Sequence, residues 1–145
     1  MFDTYEARCA LSPGMENAMV AKTEKEWLQI KANVVQAKRC KRYFFGDYYP
    51  LTHQQRNPAA WTAYQLYLPE EQEGMILALR RAKSDVRAMT FELVTIDPAK
   101  QWKFEDYDSG NRWVVSGKTI REKGFEIVIP KRRDSRLIFF SIAAR

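Results

Sequence analysis

Apolar residues recur along this chain at two different spacings, and the change from one to the other falls near Gly46. Between Thr23 and Arg42 they come every three or four residues: Trp27, Ile30, Val34 and Ala37 share one stripe, which Leu28 and Val35 widen. That spacing predicts an amphipathic helix whose apolar side needs cover. Its start is marked by Thr23 followed at the third residue by Glu26. In this capping-box pattern the Thr hydroxyl and Glu carboxylate satisfy backbone N–H groups reciprocally. Residues 1–22 show no period, and Ser12, Pro13 and Gly14 form a turn signal.

From residue 47 onward the pattern is that of strands. Trp61 to Leu68 is rich in aromatics and ends at Pro69, and Gly74 to Leu79 is apolar on both sides, as a strand covered on both faces would be. Met89, Phe91 and Leu93 alternate with polar neighbours, and so do Trp102 and Phe104. The turn Asp108-Ser109-Gly110-Asn111 leads into Trp113 and Val115, a hairpin pattern. Ser116 to Ile120 and Lys123 to Ile127 read as further short strands. Phe125, Ile127 and Ile129 form a face closed by Pro130, and Leu137 to Ile142 reads as a last strand apolar on both sides. About seven short strands with regular turns predict a mainly β fold: an antiparallel β-sandwich of Greek-key type preceded by an N-terminal helical segment. The expected division is residues 1–46, irregular and helical, and residues 47–145, the β-sandwich domain.

At 145 residues, with 46% hydrophobic and 29% charged content, the chain can bury a core of its own and has neither a disordered nor a fibrous composition. The start carries Asp3 and Glu6 and lacks the apolar centre of a secretory signal. The longest apolar run, Leu137 to Ala144, is too short for a membrane-spanning helix. No membrane partner is therefore expected, and nothing in the sequence assigns a compartment. The charge of +6 raises nucleic-acid binding, and Lys38-Arg39-Cys40-Lys41-Arg42 is the densest basic cluster. It falls at a predicted helix end, where cations complement the negative end of the helix dipole, and no nucleic-acid motif accompanies it; no nucleic-acid partner is expected.

The candidate chemistry is sparse. Asp47 suits a turn or capping role, since no second carboxylate is patterned beside it, and Asp106 and Asp108 flank a turn and read as hairpin chemistry. His53 has no nucleophile motif to serve. Cys9 and Cys40 have no metal-ligand spacing, so no metal site and no cofactor are expected; idle thiols are the favoured reading over a disulfide. Trp61, Trp102 and Trp113 are the candidates for stacking on a sugar ring, weighed against a plain core role, which large aromatics usually fill.

The order of several short motifs resembles the end of a retaining α-galactosidase of the glycoside hydrolase family 36 type, from the last part of its barrel through its C-terminal β-domain. The resemblance rests on Arg8 and Ala10-Leu11-Ser12-Pro13, then Gly46-Asp47-Tyr48-Tyr49-Pro50-Leu51, Trp61, Glu73-Gly74-Met75, Leu93, Ile96-Asp97-Pro98 and Ser116-Gly117. The family usually continues Ser-Gly with acidic residues, where this chain has Lys118-Thr119-Ile120-Arg121. The resemblance implies that Glu24 to Arg42 corresponds to the last barrel helix and that the parent reaction is hydrolysis of terminal α-galactosides. Retaining enzymes use two carboxyl groups roughly 5 Å apart; in the family both are aspartates on mid-barrel strands that nothing here matches, so no catalytic residue is carried over. The expected function is that of a non-catalytic accessory domain, with a free-standing carbohydrate-binding or protein-interaction module as the alternative. The expected partner is the parent barrel or a second copy of the chain through the 23–42 helix, with carbohydrate as a further candidate.

Overall fold

The computed structural model describes residues 3–14, 20–54 and 56–143. Its centre is β3 (Glu73–Arg80), seven of whose eight residues are buried. It is covered on both faces, as its unbroken apolar sequence predicts. β3 pairs antiparallel with β2 (Trp61–Leu68) on one side and with the last strand, β8 (Asp134–Ile142), on the other. β1 (Asp47–Pro50) extends the sheet beyond β2, while the hairpin of β5 (Gln101–Asp106) and β6 (Arg112–Ser116) extends it beyond β8. The resulting order is β1-β2-β3-β8-β5-β6, and a separate pair is formed by β4 (Ala88–Phe91) and β7 (Phe125–Val128).

Strand alternation then divides the core in two. One face of the large sheet presents Trp61, Ile76, Trp102, Phe104 and Phe140 to the small pair, which answers with Phe91, Phe125 and Ile127. The aromatic rings meet in offset contacts; Phe104 lies 4.6 Å from Phe125 and 5.8 Å from Phe140. This is the expected sandwich, although the second sheet has only two strands and is completed by Leu93, Ile96 and Ile120 from the intervening segments. The opposite face carries Leu66, Met75, Leu77, Leu137 and Phe139, and a helical layer closes over it through Cys40 and Tyr43.

That layer holds α1 (Thr4–Cys9), α2 (Glu24–Cys40) and a 3₁₀ turn (Lys41–Phe45). The Thr23–Glu26 capping box is present in both directions. Asp3 and Glu6 form a second box, which starts α1 within the stretch read as irregular. Six residues of helix are too few for a periodic signal.

Two further expectations are corrected. Ser116 to Ile120 is not a strand: Gly117–Lys123 forms a third helix, α3, with Ser116 accepting a bond from the Thr119 N–H at its start. It ends where Gly124, at φ 76°, takes the left-handed conformation that side chains resist. The apolar stripe of α2 is also turned: Ala37 is buried and Ile30 and Val34 are partly buried, but Trp27 and the flanking Leu28 and Val35 are about half or more exposed. The buried positions of the helix are Asn33, Gln36, Ala37 and Cys40. Polar groups line the inner side because α1 supplies them with partners: Gln29 donates to Thr4 and to Asn33, and Gln36 accepts from Arg8.

A second buried guanidinium, Arg80, has only backbone acceptors among its hydrogen bonds: the Ser84, Ile129 and Pro130 carbonyls, at 2.7 to 3.2 Å. It joins the loop after β3 to the end of β7.

Gly117 packs so closely on the preceding loop that an added Cβ would lie 1.9 Å from the Asp97 carbonyl oxygen, whereas nothing lies within 4 Å of one at Gly14. Gly117→Ala is expected to lower stability by about 1–3 kcal/mol through overpacking, and Gly14→Ala to leave it nearly unchanged. Urea unfolding midpoints of the two variants measure the difference.

Candidate functional site

The three tryptophans part company in the structure. Trp61 and Trp102 are buried in the main core, each donating its indole N–H to a backbone carbonyl, Val86 for Trp61 and Asp97 for Trp102. Neither offers a ring face to a ligand; both fill the sandwich, which is the core role weighed against sugar stacking at these positions. Trp113 sits on the edge strand β6 at 36% exposure, stacked on Phe104 at 5.8 Å. Only one of the three rings is thus half open, and a single ring on an edge strand forms no multi-aromatic sugar platform.

The carboxylates are distributed as structural partners. Asp47 lies exposed on β1 opposite Tyr67, and His53 is exposed in the loop that follows. Asp106 accepts the N–H groups of Asp108 and Ser109 and shapes the hairpin turn, as its position predicts. Glu105 lies between Arg39 and Arg112, at 2.7 and 3.0 Å. The hydrogen bond from Arg39, together with its charge, holds the Glu105 carboxyl below the usual range. Among the described residues no three His, Cys, Asp or Glu side chains converge as a metal set would.

Asp108 is different, and here the hairpin reading is incomplete. It reaches across to α1 and pairs in bidentate fashion with Arg8, at 2.6 and 3.0 Å. The same guanidinium, only 2% exposed, donates to Gln36 of α2 at 2.9 Å and to the Ser135 hydroxyl of β8 at 2.9 Å. Four segments distant in sequence therefore meet on one cation. Gln36 turns its carbonyl to Arg8, and its buried amide nitrogen is left without a hydrogen bond, a cost the cluster accepts. Sequence reasoning placed Arg8 in a motif and Asp108 in a turn; only their contact was hidden, because nothing local links residues a hundred positions apart.

The basic run at the end of α2 is largely committed as well. Arg39 bonds Glu105 and lies over the Phe139 ring at 3.9 Å, and Arg42 pairs with Glu73 at 2.7 Å. Lys38 and Lys41 border a cleft of about 220 Å³ with Ser12, Pro13, Gly14 and Ala37. The cleft is smaller than a usual ligand pocket, and among the described residues that line it there is no carboxylate. Both cysteines are free. Cys40 is buried, and burial pushes its thiol up to about 12; exposed Cys9 is also raised, mainly by desolvation. Neither has the lowered value of a nucleophilic cysteine. Among the described residues, Asp106, Asp108 and Glu105 are held by backbone N–H groups or by arginines.

No family model and no curated protein matches the sequence. Solved structures do match in fold. The glycoside hydrolase family 36 α-galactosidase AgaA from Geobacillus stearothermophilus superposes with a TM-score of 0.71 at 18% identity, over 95% of this chain and 19% of that one. A doubly substituted AgaA in complex with stachyose gives 0.66 at 18% identity with the same coverage. AgaB from the same organism gives 0.59 at 19% identity, over 90% of this chain and 21% of that one. The chain thus has the fold of about a fifth of these enzymes, and the resemblance read from its motifs is matched by its architecture.

Replacing Arg8 by Leu leaves buried Gln36 and Ser135 without their donor and returns the already exposed Asp108 to water, and is expected to cost about 1–3 kcal/mol. Glu122→Gln, which removes an exposed pair with Lys118, should cost at most about 0.5 kcal/mol; chemical denaturation compares them. A pH effect follows from Glu105. Its carboxyl value is lower folded than unfolded, so its contribution is present above its ordinary value of 4.5 and is lost as pH falls through the depressed folded value. The stability gap between the native chain and Glu105→Gln should therefore be widest near neutrality and close in acid.

Proposed function

We propose that this chain is a non-catalytic accessory β-domain of an α-galactosidase-like glycoside hydrolase, with hydrolysis of terminal α-galactosides carried out by a catalytic barrel and stabilised by this domain. The observation that carries the reading is the superposition on family 36 α-galactosidases over 95% of this chain but 19% of theirs, at a TM-score of 0.71. The internal chemistry agrees with it. Retaining hydrolysis needs two carboxyl groups roughly 5 Å apart, free to act as nucleophile and acid/base. Here Asp108 and Glu105 are held by arginines and Asp106 by backbone N–H groups.

In this reading the role of the domain is mechanical. A sheet covered by a sandwich partner on one face and by helices on the other is a stiff body, with Trp102, Phe104 and Met75 wholly buried. Such a body can hold a barrel's last segments in place without touching substrate. The competing carbohydrate-binding reading is weakened by the burial of Trp61 and Trp102.

The test is an assay of the purified chain on nitrophenyl α-galactoside between mildly acidic and neutral pH. No turnover above background is expected. Turnover abolished by a single Asp substitution within the chain would overturn the non-catalytic assignment. Calorimetric titration with raffinose separates the alternatives: absence of heat fits an accessory domain, and saturable binding would favour a carbohydrate-binding module.

A further inference from the structure

We propose that the outer face of α2 is a self-pairing surface, on which a second copy of this chain docks antiparallel about a two-fold axis near Lys31. The inference goes beyond the accessory-domain reading and does not depend on it.

The helix has two sides with different fates. Its inner line, Asn33, Gln36, Ala37 and Cys40, is buried. Its outer side carries Trp27, Leu28 and Val35 at 50%, 57% and 62% exposure. At 100° per residue, Glu24, Trp27, Leu28, Lys31, Val35 and Lys38 fall on one face. All of these are exposed. A Trp, a Leu and a Val grouped on one exposed helical face favour an apolar partner, as isolated surface residues do not.

Charge order selects the occupant. Glu24 stands seven residues before Lys31 and Lys38 seven after it; Trp27 stands four before and Val35 four after. A two-fold axis through Lys31 brings positions equally far on opposite sides level with one another. Glu24 then meets the partner's Lys38, and Trp27 and Leu28 meet the partner's Val35. Symmetry makes each contact twice. A parallel pairing would set Glu24 against Glu24 and Lys38 against Lys38, which like charges disfavour. The antiparallel register therefore joins the apolar residues and pairs opposite charges at both ends of the helix, leaving Lys31 against Lys31 at the axis as its one like-charge contact. Lys31 meets its symmetry mate at the axis, where each ammonium already lies over its own Trp27 ring, 5.2 Å from the centroid.

Sedimentation velocity of the purified chain from micromolar to millimolar concentration tests the proposal, with circular dichroism to establish that each variant is folded. The native chain should show a concentration-dependent dimer, and Trp27→Glu or Val35→Glu should weaken it at least tenfold. Glu24→Lys alone and Lys38→Glu alone should each sediment as monomers at concentrations where the native chain is paired. An equimolar mixture of those two variants should recover the dimer, because each then meets an opposite charge at both ends. A native monomer throughout, a dimer untouched by Trp27→Glu and Val35→Glu, or a mixture that fails to recover would each overturn the proposal. The mixing arm keeps the test decisive even where one apolar variant fails to fold.

Discussion

A guanidinium buried to 2% exposure is the constraint around which the two layers of this protein are organised. Removing a charge from water is costly unless every donor finds an acceptor. Arg8 meets that demand only when α1, α2, the β5–β6 turn and β8 are all in place, since Gln36, Asp108 and Ser135 each come from a different one. The orientation of α2 follows from it. Gln36 must face inward to accept from Arg8, and Asn33 is drawn in beside Gln29 and Thr4. The helix thereby turns Trp27, Leu28 and Val35 to the outside. The polar partners of Arg8, together with the buried Ala37 and Cys40, set the azimuth of this helix.

That explains what could be read from the sequence and what could not. β2 begins at Trp61 and ends at Leu68, the limits its composition marks, because aromatic enrichment and Pro69 are local signals. β3 and β8 are visible as two-sided apolar runs, and the Thr23–Glu26 cap as a pair of residues at fixed spacing. The face of α2 was misjudged because the rule that apolar residues point inward assumes an apolar neighbour, and the neighbour is Arg8. α3 carries no helical period because Ile120 is its one large buried side chain, and a single apolar residue in seven fits a strand as well as a helix. Its better signals were the Ser116 cap and the glycine at its end.

For the candidate site, local signals were sufficient to place Asp106 in its hairpin turn, where it accepts the N–H groups of Asp108 and Ser109. They could not say what Asp108 is. Its hairpin position was visible, whereas its bond to Arg8 depends on a fold that brings the two together. The tryptophans show the converse. Trp61 and Trp102 are held inside by their neighbours in the core, while Trp113, of the same alternating pattern, remains half open because β6 has no strand beyond it.

The place of β8 in the sheet has a consequence for how the chain is made. It is the last strand in sequence, yet it lies between β3 and β5, and it contributes Ser135 to the Arg8 cluster. Until it arrives, the β1-β2-β3 group and the β5-β6 hairpin share no ladder, and the inner edge of β3 is bare. During synthesis on the ribosome these two groups emerge as separate pieces, and the sheet can close only after translation has passed residue 142. The nascent chain must therefore keep an apolar strand edge from pairing with other chains until β8 has emerged.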